Sequence, residues 1–163
     1  MAFIPIIMGS KADLAHAQAI ADSLRAFGIR SEIRVASAHK AARYLLDLLA
    51  DYEDDPQAKV YITVAGRSNA LSGMVDANVA APVIACPPYS DRFGGADLYS
   101  SLRMPSGVAP GVVLEPAGAA LLAAKILALA DPELRARVAA AQDAATRQVM
   151  ADDEGVRESD SAA

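Results

Sequence analysis

From residue 3 onward, short apolar runs alternate with longer stretches of helical spacing, and this alternation restricts the fold more than any other property of the chain. Residues 3–8 form the first run and stop at Gly9-Ser10. Residues 11–27 then carry Leu14, Ala17, Ile20, Ala21, Leu24 and Phe27 at helical intervals, closed by Gly28 as a C-terminal stop. A strand is expected over 32–36, a helix over 41–52, and a third strand, rich in β-branched residues, over 59–65. Residues 66–73 read as a small-residue loop and 74–80 as a short helix. Further strands are expected at 82–86 and 111–114, on either side of a stretch, 89–107, with weak periodicity. An Ala/Leu-rich helix at 117–130 and a polar amphipathic one at 132–150 follow, and 151–163 is expected to be an acidic, Ser-rich, mobile tail. Strands alternating with helices dictate a parallel sheet covered by helices on both faces, here one α/β domain over 1–150.

Charge and cysteine usage remove several classes of function. The net charge is −5 and no basic stripe is present, which argues against a nucleic-acid partner. A phosphate ligand stays open, because helix N-termini bind anions without net positive charge. The single cysteine, Cys86, excludes an intrachain disulfide and a multi-cysteine metal site, and two histidines are too few for a His-rich zinc site, so no metal is expected. A reducing, cytosolic compartment fits this usage. The start of the chain has no basic segment of a secretory signal, and no apolar run reaches membrane-span length, so no membrane association is expected. The wealth of small apolar residues suits close packing against another subunit.

Ligands of parallel α/β sheets bind beyond the carboxyl ends of the strands, which directs attention to four loops. The first holds Gly9, Ser10 and Asp13. Gly9 permits a tight turn, and Ser10 either caps the helix or presents amides to an anion. The second is Ser37-Ala38-His39-Lys40. His39 reads either as a proton shuttle, since imidazole exchanges protons near physiological pH, or as an exposed residue of a polar helix start. Lys40 could hold a phosphate. The third, Gly66-Arg67-Ser68-Asn69, offers close backbone approach and short polar groups, with Arg67 either a phosphate ligand or a partner in a structural ion pair. It is neither a Walker loop nor a dinucleotide fingerprint. The fourth begins at Cys86-Pro87-Pro88, where a buried structural thiol is the better reading of Cys86. His16, inside the first helix, is expected to face solvent.

Taken together, these loops resemble the phosphoribosylaminoimidazole carboxylase (PurE) family. The matching segments are Met8-Gly9-Ser10 with Asp13, Arg34-Val35, Ser37-Ala38-His39-Lys40, Ala65-Gly66-Arg67-Ser68-Asn69, Pro82-Val83-Ile84 with Cys86-Pro87-Pro88, Ser100 through Gly107, and Leu114-Glu115-Pro116. They run in order from about residue 3 to about residue 130. Class I members, mutases of the N5-carboxylated nucleotide, carry A-G-x-G-G-A-A-H-L-P-G-M in the third loop. Here Ala70 stands where that histidine would be, whereas S-A-H-K and A-G-R-S-N resemble class II.

The resemblance implies a three-layer αβα sandwich with a flavodoxin-like parallel sheet. It implies direct, reversible, ATP-independent carboxylation of 5-aminoimidazole ribonucleotide (AIR) by CO2 in purine biosynthesis, with no cofactor. His39 would be the catalytic acid/base. Gly9, Ser10 and Asp13 would bind the ribonucleotide, Ser37, Ala38 and Lys40 the phosphate or CO2 side, and Gly66, Arg67, Ser68 and Asn69 the substrate and CO2. Arg103, Met104 and Pro105 would border the site from a neighbouring subunit of a homo-octamer, with the C-terminal helix reaching a neighbour. A class I mutase and a non-catalytic nucleotide-binding module on the same fold are the alternatives.

Overall fold

The structure is a computed structural model that describes residues 2–161. Five strands form one sheet: β1 (Phe3–Met8), β2 (Arg30–Val35), β3 (Tyr61–Val64), β4 (Val83–Ala85) and β5 (Gly111–Val112). All are parallel, in the order β2-β1-β3-β4-β5. This is the flavodoxin-like order anticipated above, and its direction of winding reverses between β1 and β3. The helices are α1 (Leu14–Ala26), α2 (Ala42–Glu53), α3 (Ala70–Asp76), α4 (Tyr99–Leu102), α5 (Pro116–Leu127) and α6 (Pro132–Ser161).

β1 has no polar side chain and is buried at every position, as a central parallel strand must be. Its alternation divides the interior into two layers. Ile4, Ile6 and Met8 pack with α1, α5 and the start of α6, while Phe3 and Ile7 pack with α2 and α3. Fully burying an Ile or Leu, as at Ile6, Leu24, Leu45 and Ile62, is worth about 2 kcal/mol each. β2, at the sheet edge, alternates exposed and half-buried residues instead.

Most element ends fall within about three residues of the sequence reading, and three regions differ further. α3 begins at Ala70 rather than at 74, because buried Asn69 caps it. The 89–107 stretch holds a 3-10 turn at Arg92–Leu98 and the short α4. α6 continues through 151–160 to Ser161, so most of the expected tail is helix; its last two residues, 162–163, lie outside the described residues, as does Met1. Among the described residues, no helix is long and apolar enough to cross a membrane.

Candidate active site

The loops after β1, β2 and β3 converge on one cavity of about 730 Å³, at the carboxyl edge of the sheet where the winding reverses. The first loop contributes Gly9, Ser10 and Asp13. Ser10 Oγ accepts from Ala12 N at 3.2 Å, and Asp13 N donates to Ser10 O at 3.1 Å, so a single 3-10 turn leads into α1. This satisfies the helix start with local groups and leaves the Asp13 carboxyl half-buried at the cavity wall. Burial raises the Asp13 pKa, while the nearby charges of His16 and Arg67 pull it back down.

Ser37, Ala38, His39 and Lys40 line the cavity from the second loop. Lys40 N donates to Ser37 Oγ at 3.3 Å and Ala41 N to Ser37 O at 2.9 Å. Ser37 thereby folds the turn that holds His39 out from the end of β2. His39 is exposed, and among the described residues nothing hydrogen-bonds its ring. The imidazole is free to meet a ligand.

The third loop brings Gly66, Arg67 and Ser68 to the same cavity. Arg67 adopts φ 58°, a left-handed conformation that costs a non-glycine residue about 1–2 kcal/mol. Asn69 does not line the cavity with these neighbours. Its Oδ1 accepts from Ser72 N (3.1 Å) and Ser72 Oγ (2.9 Å), its Nδ2 donates to Ser101 Oγ (2.9 Å), and its backbone N–H donates to Ser100 Oγ (2.9 Å). Ser72 Oγ in turn meets Thr63 Oγ1 at 2.7 Å. The expected substrate contact is thus a buried anchor that ties the glycine loop to β3 and α4 and leaves Ser68 on the open side.

Arg103, Met104 and Pro105 are not part of the cavity formed by their own chain. Met104 packs instead against α3, close to Gly73. Besides the apolar Ala12, Ala65, Leu71 and Pro88, which lie in or beside the loops already singled out, four lining residues with polar groups escaped sequence reasoning: Tyr89, Ser90, Arg92 and Asp97. They lie in the stretch of weak periodicity, which offers no pattern to mark them. Asp97 Oδ2 is buried and has no hydrogen-bond partner among the described residues, an unused acceptor at the cavity wall. Gly94 and Gly95 keep this segment in left-handed turns with φ 62° and 78°.

Cys86 follows β4 and is completely buried, as the sequence suggested. Burial, with the negative charge of Glu115 added, pushes its thiol up to about 12. His16 departs from expectation. It is half-buried rather than solvent-facing, with Nε2 3.3 Å from Cys86 Sγ. Among the described residues all peptide bonds are trans, including those preceding Pro87 and Pro88. Among the described residues, no group of three or more His, Cys, Asp and Glu side chains could hold a metal ion.

Comparison with known proteins points to one chemistry. The family model described as AIR carboxylase matches residues 3–148. A phosphoribosylaminoimidazole carboxylase of Treponema denticola is 52% identical over 148 residues, covering 91% of this chain and 93% of that protein. One from Archaeoglobus fulgidus is 54% identical over 152 residues, covering 93% and 83%. A human bifunctional phosphoribosylaminoimidazole carboxylase/succinocarboxamide synthetase is 44% identical over 128 residues, which make up 78% of this chain and 30% of that one. The crystal structure of Treponema denticola PurE superposes with a TM-score of 0.93 at 50% identity, covering 94% of this chain and 98% of that one.

Proposed function

This chain belongs to the AIR carboxylase family and is an enzyme of purine biosynthesis, and we propose that it joins CO2 directly to C4 of AIR with His39 as the acid/base. One observation carries the reading: His39, free of protein partners, shares a cavity with the Gly66–Ser68 main chain and with Ser10 and Asp13. The exocyclic amine makes C4 of the aminoimidazole enamine-like. C4 attacks the carbon of CO2, a π pair moves to oxygen, and a carboxylate forms on a tetrahedral C4 that still holds its hydrogen. Neutral His39 takes that proton, and the C–H electron pair restores the aromatic ring. In reverse, the imidazolium returns the proton to C4 before CO2 leaves.

CO2 is small and uncharged and gives little binding energy, so the site must hold it by shape and by dipoles aimed at the developing carboxylate. The Gly66–Ser68 backbone and the Ser68 hydroxyl suit that role. Asp13 accepts from the ribose hydroxyls and Ser10 lies on the phosphate side. Ser37, Lys40 and Arg67 supply hydrogen bonds and positive charge to the anionic groups. The class II form is supported by Ala70: where the class I loop carries a second imidazole, this chain has a methyl group at the start of α3.

The purified protein with AIR and bicarbonate, and without ATP, is expected to yield the C4-carboxylated nucleotide. Turnover of the N5-carboxylated isomer alone would reject direct carboxylation in favour of a mutase.

The working enzyme in this reading is a cytoplasmic homo-octamer. Supporting it, α6 is exposed over residues 139–160, with Val149, Met150 and Val156 on its surface. A polar helix of that length gains little stability alone and suits docking on a second copy. Light scattering should give a native mass eight times the 16.9 kDa of the chain; a monomer at micromolar concentration would refute the assembly.

A further inference from the structure

We infer that His16 is a positioning residue for substrate binding: its ring fastens the first turn of α1, and with it Asp13, to the buried end of β4. The inference rests on the reading above in one respect, that Asp13 receives the ribose. His16 follows Asp13 by three residues, so the two side chains share one face of the helix start, a turn apart. Ser10 and Asp13 are hydrogen-bonded within their own turn, Ser10 Oγ to Ala12 N and Ser10 O to Asp13 N. Among the described residues, the side-chain hydrogen bonding that leaves residues 10–16 for another element runs from the His16 ring to Cys86, with Nε2 3.3 Å from Sγ.

The far side of that contact is rigid. Cys86 is fully buried, its N–H donates to Thr63 O at 2.8 Å, and its Sγ lies 3.6 Å from Leu114 O. With its pKa pushed up to about 12, the sulfur keeps its proton near neutral pH. A thiol has one proton and the Leu114 carbonyl can only accept. The S–H therefore points to Leu114, and the ring must donate Nε2–H to sulfur. Burial lowers the His16 pKa, against the Cys86 backbone and the charges of Asp13 and Glu115, which favour protonation. The hydrogen-bond partners thus place a proton on Nε2, making the ring a donor directed into the protein rather than a base directed at the cavity. Its contribution passes through Asp13: with the ring docked, the carboxylate is held ready at the cavity wall, and the ordering cost is not left to the binding step.

The test is steady-state kinetics with AIR and bicarbonate on the purified enzyme, comparing wild type, His16→Leu, His16→Gln, Asp13→Asn and the His16→Leu/Asp13→Asn double variant. His16→Leu fills the space but has no donor, whereas His16→Gln keeps an N–H that reaches the sulfur. His16→Leu is expected to raise KM for AIR about tenfold with kcat within about twofold, and His16→Gln to recover most of that loss. In the Asp13→Asn background, His16→Leu should add less than about twofold, the non-additivity of residues that act as one unit. The inference is overturned if kcat falls while KM stays, if KM is unchanged, or if the tenfold effect persists without the Asp13 carboxylate. If Asp13→Asn itself leaves KM unchanged, the ribose assignment of Asp13 has failed and the inference falls with it. If Asp13→Asn raises KM and His16→Leu does not, the inference alone has failed. Should His16→Leu not fold, His16→Asn, whose shorter amide falls short of the sulfur, carries the same expectation.

Discussion

His39→Asn is expected to bind AIR with an affinity close to wild type and to lose turnover by about 10²–10⁴-fold, the usual contribution of a positioned acid/base group. Asparagine keeps a polar, though shorter, side chain and cannot carry a proton between C4 and water. The structure makes this substitution clean. His39 is exposed in the turn after β2, and among the described residues no hydrogen bond or ion pair depends on its ring. Unfolding stability should therefore stay within about 0.5 kcal/mol of wild type, so that lost activity reports chemistry rather than folding. Parallel measurement of kcat, KM and the urea midpoint checks all three. Turnover within about threefold of wild type would remove His39 from the mechanism, by the same logic that expects an acid/base deletion to cost far more.

The second large effect is structural. Asn69→Ala is expected to destabilise the fold by about 3 kcal/mol and to depress activity with it. The side chain caps α3 and satisfies Ser72 N, Ser72 Oγ and Ser101 Oγ in a nearly solvent-free setting, with Asn69 only 4% exposed. Loss of a cap costs about 1 kcal/mol, and each buried polar group left unpaired about 1–3 kcal/mol. Some of these groups re-pair with one another: Ser72 Oγ keeps Thr63 Oγ1. Asn69→Asp retains the acceptor and loses the donor to Ser101, so it should fall between Asn69→Ala and wild type. Chemical denaturation reads the stability directly. A loss below about 0.5 kcal/mol would mean that water or a rearranged Ser101 replaces the network at little cost.

The contrast between these two residues shows what the sequence could and could not reveal. Both stand in short polar loops that follow a strand, His39 read as the acid/base and Asn69 as a substrate contact. His39 lies where the strand-end rule puts it, because the alternation of strands and helices determines the sheet order, and the order determines which loops meet. Ser10, Asp13, Ser37, Lys40, Gly66, Arg67 and Ser68 were legible for the same reason. Asn69 turns inward because Ser100 and Ser101, some thirty residues away in sequence, supply partners that no local pattern discloses. The start of α3 was hidden by the same fact: the small residues of 66–73 read as loop until the cap is seen. His16 looked solvent-facing because helical spacing fixes its face on α1 but not what packs there, and the group that packs there is Cys86 from the end of β4. Tyr89, Ser90, Arg92 and Asp97 had no signal at all, since their segment repeats neither the helical nor the strand period. The length of α6 was underestimated because its last third is mostly acidic and polar, a composition that fits a solvated helix as well as a tail.

In the proposed reaction His39 carries the C4 proton between the ring and water while CO2 adds at the same carbon. AIR deuterated at C4 tests it most directly, incubated with bicarbonate and no ATP, with label loss and carboxylated product followed together. Wild-type enzyme should release the deuterium to water in step with CO2 fixation, and His39→Asn should release it no faster than buffer alone. Label loss from His39→Asn at the wild-type rate would show that another group removes the C4 proton.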